Sequence, residues 1–355
     1  MEMDKLRENI DVLDDKILEL LTMRQKEASQ LGKLKRELGF PIFDPVRERS
    51  IIDRLRRNNS GGLDEHAVRA VWREIFSASR QAQTPLRVAY LGPEGTFTQQ
   101  AAQARFGSSA ELMASHTIAA AFAMVAKQTV DYAVLPVENT LQGIVGETVD
   151  LLGAAGEPLV IGEITIPIHF VFSSSREHLE DVKTIYSKRE AFPQCSNFLN
   201  QSALEKAERK AVTSTAEAVW QAAEDPDGAA LSAEIAASQA GVPILFRNVE
   251  NNPRNKTRFL ILGRDRPSPT GDDMTAVFTK VPNVTGGLEE LLASFKRNGI
   301  NLTKIESRPM DDAANFETWF YIEFEGHIQD LSDRGISVPD NLVWLGSYPR
   351  FRLER

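Results

Sequence analysis

Between Met3 and Leu38 the chain has no proline and one glycine, and Leu6, Ile10, Leu13, Ile17, Leu20, Leu21, Ala28, Leu31, Leu34 and Leu38 recur mostly at steps of three and four. That period puts the apolar side chains on one stripe, so the segment is a single amphipathic helix of about ten turns. A helix that long in a small module packs its stripe against another chain. Gly39 and Pro41 end it. A second helix starts at Asp44-Pro45, as N-cap and first helical residue, and runs toward Asn58; Asn59 to Gly62 turn the chain into a third, about Asp64 to Gln81.

After a linker at Gln81 to Pro85 the pattern changes. Apolar runs at Val88 to Leu91, Ala133 to Val137, Val160-Ile161, Ile168 to Phe172 and Leu260 to Leu262 alternate with helical segments such as Ala101 to Phe106, Ile118 to Gln128 and Glu217 to Glu224. This alternation predicts parallel sheets covered by helices. The polar run Asn251 to Thr257 reads as a loop entering one more buried parallel strand that ends at Gly263. A second linker, Asp265 to Asp273, carries two prolines and a glycine. Beyond it a strand (Thr275 to Val281), a helix (Leu288 to Asn298) and strands at Leu302 to Arg308 and Thr318 to Phe324 begin a βαββαβ pattern, although Gly335 and Pro339 weaken a second helix between Asp330 and Val343.

Several classes are excluded. Cys195 is the only cysteine, so no intrachain disulfide forms, and His66, His116, His169, His178 and His327 lack metal-ligand spacing. Neither a metal nor a cofactor is expected. No segment is apolar enough to cross a bilayer, and the charged stretch Met1 to Glu8 is unlike a secretory leader, which predicts a cytoplasmic protein. Of the net charge of −9, residues 1–85 contribute 16 Lys+Arg against 15 Asp+Glu, leaving 25 against 35 elsewhere. Such a chain does not attract nucleic acid by its field, so an anionic substrate must be gripped by individually placed cations.

In the helical module, Arg24 and Lys35 are eleven residues apart, which returns to nearly the same face about 16 Å along the axis. Their side chains can converge on one dianion. Arg7 is rotated by roughly 100° from Arg24, so an antiparallel partner helix would have to supply it. Asp44 and Glu48 form an i,i+4 pair beside Arg47, and Ser79 and Gln83 another; Ser77 and Gln81 share that spacing. Together these residues resemble the all-helical chorismate mutases, intertwined dimers whose pocket the resemblance assigns to Arg7, Arg24, Lys35, Asp44, Arg47, Glu48, Ser79 and Gln83. That rearrangement needs a folded conformer and stabilisation of charge on an ether oxygen, with no proton transfer. Arginines would fix the carboxylates, while Lys35 and Gln83 donate to the oxygen. Glu48 would have to be protonated to donate as well.

The middle of the chain carries Gly92-Pro93-Glu94-Gly95-Thr96-Phe97-Thr98, Leu135-Pro136-Val137-Glu138-Asn139-Thr140, Tyr186-Ser187 with Gln194-Cys195, and Asn255-Lys256-Thr257-Arg258-Phe259. Each lies at a strand end, where open α/β sheets bind ligands. In this order they resemble prephenate dehydratase, which implies a two-lobed α/β fold like type II periplasmic binding proteins, with lobes at about 86–164 plus 245–264 and 165–244. The implied prephenate site is Thr96, Phe97, Asn139, Thr140, Ser187, Gln194, Thr215, Thr257, Arg258 and Phe259. Thr257 would donate to the leaving hydroxyl, Arg258 hold a carboxylate and Phe259 wall the ring. Thr213-Ser214-Thr215 with Glu217 also reads as a helix cap. Lys188 stands where the family commonly has histidine, and is not expected to be catalytic; Cys195 reads as a small buried residue.

The last segment resembles an ACT regulatory domain, of ferredoxin-like α+β fold, which implies phenylalanine binding at Gly286, Gly287, Leu288, Asn301, Leu302, Glu306, Ser307 and Arg308. Gly286-Gly287-Leu288-Glu289 departs from the usual Gly-Ala-Leu-Val. The whole chain is similar to the bifunctional chorismate mutase/prephenate dehydratases: a mutase at 1–85, a dehydratase at 86–264 and an ACT module at 274–355. The resemblance implies chorismate and prephenate as substrates, phenylalanine as effector and a homodimer or dimer-based oligomer. The rival expectation is a non-catalytic two-lobed binding protein with an ACT sensor.

Overall fold

The computed structural model describes residues 2–201, 203–309, 318–333 and 342–350. The chain forms two units, one of residues up to Arg87 with Arg105–Glu111, the other of Val88–Ala104 with the chain from Leu112 onward.

The first unit is built on α1 (Glu2–Leu38), α2 (Pro45–Asn58) and α3 (Glu65–Gln83). Asp44 caps α2 as expected, accepting from the Arg47 N–H at 2.8 Å with Pro45 next in line, and Asp64 caps α3 through the Ala67 N–H at 2.6 Å. The C-terminal half of α1 packs on α3, with Gln83 lying over Gly32 so closely that a Cβ there would collide with it. Along the same seam Gln25 Nε2 donates to the Ala78 carbonyl at 2.8 Å and Arg36 Nη1 to the Gln83 carbonyl at 2.6 Å. The N-terminal half of the stripe is bare: Leu6, Ile10, Leu13, Ile17 and Leu20 are each more than half exposed.

The second unit holds three sheets. The first comprises β1 (Arg87–Leu91), β2 (Glu111–Ser115), β3 (Tyr132–Asn139), β4 (Gly143–Ile144), β5 (Leu159–Pro167) and β11 (Lys256–Gly263), ordered β2-β1-β3-β11-β5 with β4 beside β3. Helices α4 (Phe97–Phe106), α5 (Ile118–Ala126) and α6 (Gly146–Ala155) alternate with its strands. The second sheet is β10-β6-β9-β7-β8, from β6 (Val171–Ser174), β7 (Thr184–Lys188), β8 (Glu208–Val212), β9 (Gly228–Ser232) and β10 (Ile244–Arg247). Between these strands run α7 (Ala191–Gln194), α8 (Ser196–Gln201), α9 (Thr215–Glu224) and α10 (Glu234–Ala240). Since β10 belongs here, the lobe boundary falls after Arg247 rather than before it.

These sheets are mixed, which corrects the expectation of purely parallel ones. β1 is parallel to β3, and β7 to β8 and β9, but β6 is antiparallel to β9 and β10. β11 is antiparallel to both of its neighbours, β3 and β5. It re-enters from the second lobe at the edge where β3 and β5 end, so it must run back against them. The consequence is local: Thr257, near its start, pairs with Asn139 and Ile166, near their ends.

β12 (Asp273–Val281), α11 (Gly287–Arg297), β13 (Leu302–Pro309), β14 (Thr318–Glu325), α12 (Ile328–Asp333) and β15 (Leu342–Pro349) complete the βαββαβ order around a sheet β13-β14-β12-β15. The glycine and proline expected to weaken the second helix, Gly335 and Pro339, lie outside the described residues. This sheet shares a core with the first, in which Phe278, Tyr321, Leu345 and Tyr348 pack with Val149, Leu152 and Val160. Two glycines allow that approach. At Gly153 a side chain would meet the Phe278 ring, and at Gly346, with φ +150°, it would overlap the Val160 carbonyl.

Candidate active sites

In the helical unit the structure brings four of the expected residues to the α1–α3 seam. Arg24 is half-buried, its Nη1 donates to Ser79 Oγ, and its guanidinium lies 5.8 Å from the centre of the Phe76 ring. Burial lowers its pKa from the ordinary value, the usual response of a cation removed from water. Ser79 is buried and also bonds the Ile75 carbonyl, whereas Ser77 accepts from the Ser109 N–H and Gln81 is exposed. Of the two pairs, Ser79 and Gln83 are the ones that face α1, through Arg24 and Gly32. Gln83 Oε1 is buried with no hydrogen-bond partner, an unmet acceptor beside α1. Lys35 Nζ donates to the carbonyls of Pro41 at 2.9 Å and Ile42 at 3.3 Å.

The other four stand apart. Arg7 lies exposed near the start of α1, 3.7 Å from Asp4. The side chain of Asp44 is occupied by its capping bond, and Arg47 is exposed. Glu48 accepts from both Arg80 and, at 3.1 Å, Arg105, so in this structure its carboxyl oxygens are engaged by two arginines rather than turned to the seam. Arg80, buried and bonded also to the Phe106 carbonyl at 2.6 Å, went unnoticed in the sequence because neither partner lies within one helical turn of it.

In the second unit, Thr257 Oγ1 accepts from Asn139 Nδ2 at 2.9 Å. Its own proton is therefore directed away from Asn139 and remains available to a ligand. Asn139 Oδ1 accepts from the N–H groups of Leu141 and Gln142 at 2.9 and 3.1 Å, which fixes the amide with Nδ2 toward Thr257. β3 carries one extra residue, Val137, at this end, a bulge of the kind that re-aims side chains near sites. Thr140 Oγ1 donates to Asn255 Oδ1 at 3.0 Å, and Gln194 Oε1, from the second lobe, accepts from Asn255 Nδ2 at 3.0 Å. Gln194 and Asn255, with Leu141, Pro193 and Glu250, line a cavity of about 210 Å³. Thr96 bonds the Leu91 carbonyl at 3.1 Å, and Phe97 meets Phe170 edge-on with ring centres 5.5 Å apart.

Four expectations change. Arg258 does not reach for a substrate: its guanidinium lies among Glu138 at 3.5 Å, Glu163 at 3.0 Å and Glu323 at 2.7 Å. Burial opposes its charge, yet Glu323 and its other neighbours outweigh that and raise its pKa above the ordinary arginine value. Strand alternation sends it to the face opposite Thr257. Ser187 is fully buried and donates to the Leu231 carbonyl at 2.7 Å, a strand-to-strand bond. Thr215 is buried at the start of α9, where Ser214 accepts from the Glu217 N–H at 3.0 Å; the cap reading holds. Phe259, 1% exposed, belongs to the core and presents no open wall. Lys188 is exposed, 3.8 Å from Glu190, and Cys195 is buried, its thiol pushed up to about 12 by desolvation and then by Glu250.

In the third sheet Gly286, at φ +86°, precedes α11, Gly287 begins it, and Leu288 is exposed. Asn301 and Leu302 line an open depression of about 470 Å³ with Leu292 and Phe295. Glu306 is half-buried and Ser307 exposed on β13. Arg308 is the correction here: it pairs with both oxygens of Asp150 on α6, at 2.7 and 2.6 Å, and is not free for an effector.

The chorismate mutase type II family model matches residues 6–84, and the prephenate dehydratase model residues 88–267. A bifunctional chorismate mutase/prephenate dehydratase of Aquifex aeolicus is 37% identical over 99% of each chain. The crystal structure of a prephenate dehydratase from Arthrobacter aurescens in complex with L-Phe superposes with a TM-score of 0.68 at 31% identity, over 75% of this chain and 90% of that one. A structure described as a quorum quenching acylase gives 0.67 at 26% identity, over 76% of this chain and all of that one. With both modules matched in order and the identity sustained along the full length, the chain belongs to the bifunctional chorismate mutase/prephenate dehydratase family.

Proposed function

We propose that the two reactions joined in the family name run at separate sites of this chain. Chorismate is held along the α1–α3 seam, its carboxylates by Arg24 and by Arg7 of a second copy, with Lys35 and Gln83 donating to the ether oxygen as charge develops there. Only interactions stronger in the transition state raise the rate, and Gln83, packed over Gly32 with its Oε1 unpaired, lies at the seam where such a donor is needed. Prephenate is held by Asn139, Thr140 and Gln194, with Thr257 donating to the departing hydroxyl as CO2 leaves and the ring becomes aromatic. The observation that carries this reading is the Asn139–Thr257 bond, which turns a strand threonine into an outward donor.

The bare stripe from Leu6 to Leu20 supports an intertwined dimer in which a second α1 covers it and brings Arg7. The two sheets support the likeness to type II periplasmic binding proteins, and the βαββαβ order supports an ACT module with phenylalanine as effector, in a cytoplasmic enzyme. No described helix is long and apolar enough to cross a membrane. One product-resolved assay tests the whole: chorismate is expected to yield prephenate and then phenylpyruvate, more slowly with phenylalanine present. Release of neither product would favour the non-catalytic binding protein. Calorimetry without phenylalanine heat would leave a dimerisation module that senses nothing.

A further inference from the structure

Asn255 is 1% exposed, yet both ends of its amide are used. Its Oδ1 accepts from Asn139 Nδ2 and from Thr140 Oγ1, each at 3.0 Å, both in the first lobe. Its Nδ2 donates to Gln194 Oε1 at 3.0 Å, in the second lobe. The backbone holds it in place: its carbonyl accepts from the Ile168 N–H at 2.9 Å, between the two crossings that join the lobes.

The direction of this chain of amides is set at one end. Two backbone N–H groups hold Asn139 Oδ1, so Asn139 Nδ2 faces Asn255 Oδ1 and Thr257 Oγ1 together. Asn255 Nδ2 must then face Gln194, whose Oε1 accepts, and Gln194 Nε2 turns to the Glu190 carbonyl at 3.1 Å. Only a side chain with one acceptor and one donor fits the middle. We infer that Asn255 is a positioning residue for the dehydratase: it holds the already oriented Asn139 amide and the Thr140 hydroxyl through Oδ1 and Gln194 through Nδ2, and so sets the spacing of Asn139 and Thr257 in the first lobe from Gln194 in the second. The inference rests on the assignment of Thr257 as donor to the leaving hydroxyl.

The test uses the full-length enzyme, with its mutase rate as an internal measure of the first unit and urea denaturation as the measure of folding of the second, which carries Asn255. Asn255→Ala is expected to lower dehydratase kcat by about 10- to 100-fold, a smaller loss than that of the donor itself, with a smaller change in KM and no change in mutase rate. Asn255→Asp adds a readout that a structural role would not move. When its new carboxyl is protonated, it accepts from Asn139 and donates to Gln194 as the amide does; ionised, it faces Gln194 Oε1 with no proton to give. Dehydratase kcat in N255D should therefore approach wild type at low pH and fall as pH rises through the pKa of that group, a limb absent from the wild-type profile. Wild-type kcat in N255A, alongside an inactive T257V, overturns the inference and leaves the donor assignment standing. Full activity in T257V overturns the assignment itself. Should N255A fail to fold, the N255D profile decides: a flat one refutes the inference.

Discussion

Lys35→Ala is expected to lower chorismate mutase kcat by at least about 10²- to 10³-fold while leaving turnover of supplied prephenate unchanged. The ammonium is half-buried and held over the Pro41 and Ile42 carbonyls, so it is an already oriented donor at low cost in reorganisation. Under the proposed assignment, truncation removes the charge that meets the developing oxyanion and nothing from the second unit, to which Asn139, Gln194 and Thr257 belong. Separate rates on chorismate and on prephenate check this. Loss of both activities would mean that the two reactions share a site.

Arg258→Ala should destabilise the second unit by roughly 3–5 kcal/mol, because it leaves buried carboxylates without their counter-charge. Glu163 and Glu323 have side chains only 8% and 3% exposed, and Tyr321 already donates to Glu323. Lys304 partners Glu138 from the third sheet and cannot serve all three carboxylates. Arg258→Lys rescues little, since a point charge replaces a fork that meets three acceptors. Urea denaturation measures the change. Unaltered stability with a raised KM for prephenate would return Arg258 to the substrate.

The helical module was readable because its signals are local. A strict period set α1, and Asp44-Pro45 and Asp64 marked where the next helices begin. The strands were readable as apolar runs, but their direction was not: a run such as Leu260 to Leu262 is equally apolar in either sense, and only its entry point makes β11 antiparallel. Arg258 beside Thr257 looked like a ligand cation because the glutamates that enclose it are 65 to 120 residues away in sequence. Ser187 and Phe259 had motif neighbours but point into the protein, and strand alternation alone does not tell which face is covered. Asn255 lay in a motif, yet its function is visible only when Asn139, Thr140 and Gln194 converge on it.

Everything proposed for the second reaction depends on the hydroxyl at the start of β11. The most direct measurement is prephenate turnover by Thr257→Val, which keeps the shape and removes the donor, beside Thr257→Ser, which keeps the donor. The valine variant should lose about 10²- to 10⁴-fold in kcat, with the serine variant far closer to wild type and the mutase rate equal in all three. A valine variant that forms phenylpyruvate at the wild-type rate would contradict the account.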